Sequence, residues 1–107
     1  MNNTITRGLY LAFVRVHVLH HAAEGPVFGL EMIEELRHHG YTIGPGTLYP
    51  ILHNLHQSGC LRLTQEVVNG KMRKYYVATA KGSRVLAEAR KKIRELVREV
   101  LQDGTGK

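Results

Sequence analysis

Residues 46–59 read GTLYPILHNLHQSG, from Gly46 to Gly59. Leu48, Leu52 and Leu55 recur at helical spacing with Ile51 beside them, so one face of a short helix is apolar and packs on a core. At about 100° per residue the opposite face presents Gly46, Pro50, His53 and Gln57, flanked by Tyr49 and Asn54. That face carries no charge, where an ordinary surface helix shows Lys and Glu. Its partner is therefore something other than water alone.

The segments on either side define the setting. Residues 6–23 place apolar groups at Leu9, Phe13, Val16 and Leu19, with enough additional Val and Leu for a helix buried on more than one side. Gly25-Pro26 ends it. A second helix is expected from Phe28 to His39, with Leu30, Ile33 and Leu36 inward and Glu31, Glu34 and Glu35 outward near the positive end of its dipole. Gly44-Pro45-Gly46 then opens the third helix, and Pro45 suits its first position. If that helix starts at Gly44, Pro50 lies past the first turn and threatens a kink costing about 3 kcal/mol. A start with Thr47 as N-cap avoids the conflict.

After this helix come two β-rich segments, 61–68 and 71–78, separated by Asn69-Gly70, the strongest two-residue hairpin signal. The turn sets the register: Val68 opposes Lys71, Glu66 opposes Arg73, Thr64 opposes Tyr75 and Leu63 opposes Tyr76. Leu61, Leu63, Tyr76 and Ala78 root one face in the core, while the tip is basic. Glu66 is placed to neutralise Arg73 across the strands; Lys71 and Lys74 have no such partner. Two closely spaced helices, a short turn and a basic hairpin make a winged helix-turn-helix. The fold class is thus mainly α with a small antiparallel β-hairpin.

Charge supports a nucleic-acid partner. The 107 residues carry a formal net charge of +6, divided unevenly. Residues 1–59 hold three basic against four acidic side chains, and residues 60–107 twelve against five. Arg62, Lys71, Arg73, Lys74 and Lys81 fall within 61–81 against Glu66 alone, the electrostatic footprint of a nucleic-acid binder. A helix entering the major groove of double-stranded DNA needs small groups for close approach and neutral hydrogen-bonding groups for base edges. Thr47, His53, Asn54 and Gln57 meet that description, and Thr47 or Tyr49 near the helix start suits phosphate. With no Arg or Lys on the helix, affinity is expected from Lys71, Arg73 and Lys74 of the wing. A non-specific nucleic-acid binder is the alternative that charge alone leaves open.

The residues Gly46-Thr47-Leu48-Tyr49-Pro50 with Leu52, Leu55, Gly59 and Leu61, followed by Arg73-Lys74-Tyr75-Tyr76 with Thr79 and Gly82, resemble the PadR family of bacterial transcriptional regulators. The resemblance runs from about Leu9 to Leu101. It departs where Phe28 and Leu30 replace the usual His and Tyr, His56 a common Glu, and Cys60 a usual Leu. It implies a repressor that binds a pseudo-palindromic operator as a homodimer and responds to phenolic or aromatic compounds held between the subunits.

Two divisions are expected: residues 1–82 as the DNA-binding domain, and 83–107 as a C-terminal dimerisation helix with a tail. Leu86, Ala89, Ile93, Leu96 and Val100 recur at alternating spacings of three and four, and Val85, Val97 and Leu101 widen the stripe. An intramolecular packing face would show the same pattern; the resemblance favours a seam with a second copy, formed with the N-terminal helix. Leu86, Ala89, Ile93, Leu96, Val97 and Val100 are the expected interface. Phe13, Leu96 and Val100 are candidates to line an effector cavity, against the plainer reading that they fill the core.

The remaining chemistry is sparse. Seven histidines include the pairs His17/His21, His38/His39 and His53/His56, but no pair comes with a third ligand in the sequence, so no metal ion and no cofactor is expected. A metal- or redox-responsive regulator stays as a refinement of the DNA-binding reading. Cys60 is the single cysteine and cannot form an internal bridge, which fits a reducing cytoplasm. Ser58 and Ser83 have no base and orienter, so no enzyme is expected. The run Leu9–Val14 is too short to span a membrane, and neither it nor the faint signal-peptide pattern around Arg7 and His21-Ala22-Ala23 is read as a targeting segment. Met1–Thr4 and Asp103–Lys107 lack apolar periodicity and are expected to be mobile.

Overall fold

The computed structural model describes residues 4–102; the end segments expected to be mobile lie outside them, save Thr4, which opens the first helix. The chain forms α1 (Thr4–Glu24), β1 (Val27–Phe28), α2 (Gly29–His38), α3 (Pro45–Gln57), β2 (Leu61–Val68), β3 (Lys71–Ala78) and α4 (Ala80–Val97), which continues into a π-helical turn over Arg98–Gln102. The sheet is antiparallel with strand order β1-β3-β2. Its third strand is not expected from sequence: Val27 and Phe28 pair with Tyr76 and Tyr75. Two residues are too few to show a period.

The hairpin has the expected bounds and register, including Val68 opposite Lys71 and Leu63 opposite Tyr76. Asn69 (φ 52°) and Gly70 (φ 78°) both take the left-handed conformation of the tight turn whose twist matches the flanking strands.

The core collects Val14, Val18, Leu19 and Ala22 from α1, Met32, Ile33 and Leu36 from α2, and Leu48, Ile51 and Leu52 from α3. Cys60, Leu61 and Tyr76 close it from the sheet side, and Leu86 from α4. Leu30, expected inward, is 54% exposed. Because α2 begins at Gly29, its inward stripe is Gly29, Met32, Ile33 and Leu36 instead. On α1, Leu9 and Phe13 are likewise exposed; the helix is apolar on two sides, and one side is left uncovered.

α3 starts at Pro45 with Gly44 as N-cap, so Thr47 is not the cap. Pro50 therefore sits inside a helix that runs on past it to Gln57. The conflict is eased by position: Pro50 is exposed, and the Gly46 carbonyl that has no donor there lies on the solvent side of the first turn.

α4 is anchored at its start. Thr79 caps it by accepting from the Gly82 N–H at 3.1 Å, while its hydroxyl donates to the Gly59 carbonyl. The expected division after residue 82 falls in the first turn of this helix. Gly82 is pressed so closely on the chain just before β2 that an added Cβ would lie 2.1 Å from the Cys60 carbonyl oxygen. That contact, with Leu86 in the core, sets the direction in which α4 leaves the domain.

Candidate nucleic-acid interface

With Leu48, Ile51 and Leu52 buried, α3 turns Gly46, Tyr49, Pro50, His53, Asn54 and Gln57 outward, and Thr47 is half-buried. No described Lys, Arg, Asp or Glu lies on this helix. Gly46 has open space where a side chain would stand. Tyr49 is the exception on this face: its ring lies over Gly29 of α2, so it braces α2 against α3 as well as reaching the surface. Tyr76 stands near Tyr49, and burial first, then that neighbour, pushes its phenol above the ordinary tyrosine range. His56, half-buried, donates through Nδ1 to the Leu61 carbonyl at 3.1 Å and ties the end of α3 to β2.

The wing divides its cations between two faces. The pleat and register place Arg62, Lys71 and Arg73 on the outer face, and Lys74 with Met72 on the face that continues from Tyr76. Arg73 does not pair with Glu66, although the two are opposite each other; its guanidinium lies 4.7 Å above the Phe28 ring, which in turn packs on Tyr75. The unforeseen strand β1 supplies that platform. Lys81, which the sequence groups with the wing, is turned back: Nζ donates to the Ser58 carbonyl at 2.6 Å, at the negative end of α3. Val67 and Met72 face each other near the wing tip, both exposed, and add apolar surface to a tip expected to be only basic.

Two further cations, not among the residues expected from sequence, border the site. Arg7 and Arg15 of α1 line a shallow groove with Gly46, Thr47, Pro50 and Asn54 of α3. A signal is present in the chain, since Arg7, Leu11 and Arg15 recur every four residues on one helical face. It is masked by the neutral-to-acidic balance of the first half and by the surrounding apolar residues.

The site is thus an uncharged helix face flanked by cations from α1 and the wing. A family model described as the transcriptional regulator PadR-like family matches residues 18–88. The chain belongs to the PadR-like family of transcriptional regulators. It is 50% identical over 90 residues to the transcriptional regulator Rv3488 of Mycobacterium tuberculosis, covering 84% of each chain. A PadR family transcriptional regulator from Eggerthella lenta is 32% identical with a TM-score of 0.71, over 95% of this chain and 89% of that one. A PadR-like transcription factor from Bacteroides fragilis, at 25% identity, gives a TM-score of 0.78 over 92% and 96%. The protein is accordingly a DNA-binding transcriptional regulator and not an enzyme.

This PadR-like chain has a second surface of note, between α1 and α4. A groove of about 660 Å³ is lined by Phe13, Val16, Ile93, Leu96 and Val97 among others, with His17, His20 and Arg90 at its polar edge. Ala89 lines it too; Val100 lies beyond it. Leu86 belongs to the monomer's own core at 3% exposure, whereas Ile93, Leu96, Val100 and Leu101 are 41–65% exposed. Among the described residues no helix is long and apolar enough to cross a membrane.

The histidines are closer than the sequence indicates. The pair His17/His21 does gain a third group, because the end of α2 brings His39 beside them. His38 and His53 are exposed, and Cys60 is a free thiol buried in the core away from this cluster.

Proposed function

We propose that the protein represses transcription in the bacterial cytoplasm by binding a pseudo-palindromic operator as a homodimer, and that a small aromatic ligand releases it. The observation that carries the reading is the face of α3: an exposed helix surface without a single charge, bordered by Arg7, Arg15, Lys71 and Arg73. A carboxylate there would be repelled by phosphate, and neutral donors and acceptors match base edges. Asn54 and Gln57 suit adenine, and His53 suits guanine. Arg7 and Arg15 join Thr47 and Tyr49 on one flanking phosphate strand, while Lys71, Arg73 and Lys74 take the other.

Dimerisation follows from the apolar stripe of α4 and the uncovered side of α1. Ala89, Ile93, Leu96, Val97 and Val100 meet their copies across a two-fold axis, which sets the two α3 helices on successive major grooves. Leu86 supports the seam from within the monomer. The groove beside Phe13 and Leu96 becomes an enclosed effector cavity when the second copy covers it, and its volume falls in the range of small-molecule sites. A flat phenol fits its apolar walls, with the hydroxyl toward His20 or Arg90.

Gel shifts on the native upstream DNA and on a scrambled duplex, at one fixed salt concentration, test the reading. Retardation of the upstream fragment at protein concentrations far below those that shift scrambled DNA is expected. Equal shifts on both duplexes would replace the operator reading with sequence-independent binding.

A further inference from the structure

Of the clusters outside the DNA-binding face, one gathers three metal-ligating side chains from two helices. His17 and His21 stand one turn apart on the same face of α1. His39 is the C-cap of α2, where its backbone N–H donates to the Leu36 carbonyl and the following Gly40 N–H to the Arg37 carbonyl, each at 3.0 Å, so its ring is presented by a fixed turn. One donor nitrogen from each of the three lies within 4.8 Å of the others. The His17 and His39 rings stack with centroids 4.7 Å apart. Glu35, one turn before His39, places Oε2 3.0 Å from His39 Nε2 and 3.7 Å from His21 Nε2.

We propose that His17, His21 and His39 form a binding site for a borderline divalent transition-metal ion of the zinc class, with Glu35 as the carboxylate that orients His21 and His39. Zinc–imidazole bonds of about 2.0–2.1 Å in a tetrahedral set bring ligand nitrogens to roughly 3.4 Å of one another. The present spacing closes to that by rotation of exposed or half-buried rings. Histidine ligands typically have a carboxylate that fixes their orientation; Glu35 already fills that role for His39 at hydrogen-bond distance and stands close enough to His21 to reach it with a small shift. Nitrogen-only ligands exclude calcium and magnesium, which take oxygen donors.

Three imidazoles leave a fourth position to water, and His39 is exposed, so the ion enters and leaves from solvent rather than being locked in a closed structural cage. A bound ion would join α1 to the end of α2, just before the linker to α3. A rival set, His20, His21 and Glu24, lies on α1 alone. It shares His21 but draws on one helix, whereas the proposed set spans two.

The test needs no DNA. The full chain, stripped with chelator and dialysed, is titrated with zinc by calorimetry and with cobalt by absorption spectroscopy. One ion per chain is expected, with cobalt giving the intense visible bands of a low-coordinate site. His39→Ala and His17→Ala should each weaken zinc binding at least about tenfold, and Glu35→Gln should weaken it less than either. His20→Ala should bind as the parent does. Because His39 is exposed at a helix end, its variant keeps the fold, which circular dichroism of the metal-free forms verifies; zinc should raise the melting temperature of the parent and leave that of His39→Ala unchanged. Absence of saturable zinc uptake by the parent overturns the site. So does a loss in His20→Ala with none in His39→Ala, which would place the ion on the rival set.

Discussion

α3 buries Leu48, Ile51 and Leu52 and turns Gly46, Pro50, His53, Asn54 and Gln57 outward, whereas α4 beyond Leu86 turns Ile93, Leu96 and Val100 outward among Lys and Arg. Each helix breaks the usual rule for a surface helix, in opposite ways. α3 has its apolar face satisfied and lacks the charges that water favours. α4 has the charges and lacks cover for its apolar stripe. What a helix leaves exposed against expectation describes its partner: a polyanion with hydrogen-bonding edges for α3, and a matching apolar stripe for α4. The two depend on each other, because α4 leaves the domain in a direction set where it touches the chain between α3 and β2.

The largest effect is expected at that junction. In Gly82→Ala the new methyl would meet the Cys60 carbonyl, and the same oxygen already accepts the Thr79 N–H at 3.0 Å, so the strand end cannot shift without breaking that bond. Overpacking against backbone should cost on the order of 4 kcal/mol, read as a lower urea midpoint. Unchanged stability would mean that the root of α4 is loosely held and that its direction is not fixed by this contact.

Next comes the stripe itself. Leu96→Lys puts a charge into the proposed seam in both copies and should weaken the dimer by roughly 3 kcal/mol, about a hundredfold in its dissociation constant. Since Leu96 is half exposed in the monomer, the fold of each subunit should survive, and sedimentation of parent and variant separates the two effects. A well-folded parent that sediments as a monomer at micromolar concentration sinks the seam.

A set of four substitutions, two on α3 and two on the wing, distinguishes reading from holding. Asn54→Ala and Gln57→Ala should relax preference at particular operator positions by about 1–3 kcal/mol. Lys71→Ala should instead weaken all duplexes alike and reduce the slope of log K against log salt by about 0.9 for each phosphate no longer neutralised, doubled in a dimer. Arg73→Ala should do the same, because its charge rests on the Phe28 ring and is not cancelled by Glu66. Salt titrations on operator and scrambled duplexes check all four; unchanged slopes for both wing variants would show that the wing stands clear of DNA.

How far these features can be read from sequence varies with the range of the interaction. The hairpin is legible to the residue because Asn69-Gly70 dictates register locally. The stripe of α3 is legible because its period is short. The start of α3 is ambiguous in the sequence, since a proline inside the helix argues for a later cap, and only the tertiary placement of Gly44 and Gly46 resolves it. Arg73 takes a partner other than the expected Glu66 because a two-residue strand from a distant segment competes with the residue directly across the ladder. The role of Arg7 and Arg15 and the meeting of His39 with His17 depend on how α1 lies against α2 and α3, which no local pattern states.

The smallest effect is also the one in which stability and function should move apart. Gly46 sits in the second position of α3 with nothing near the place where a Cβ would go. Replacing it by Ala removes flexibility from the unfolded chain and displaces no neighbour, so Gly46→Ala should stabilise the fold by about 0.5 kcal/mol, a small rise in melting temperature. On DNA the same methyl would stand on the face that approaches the groove, beside the phosphate-directed Thr47, and should weaken operator binding by roughly fivefold, near 1 kcal/mol. Both quantities are measured on one preparation, by thermal unfolding and by operator titration at fixed salt. A stabilised variant that binds the operator as tightly as the parent would show that the first turn of α3 does not approach the DNA closely, and the missing side chain at this position would need another explanation.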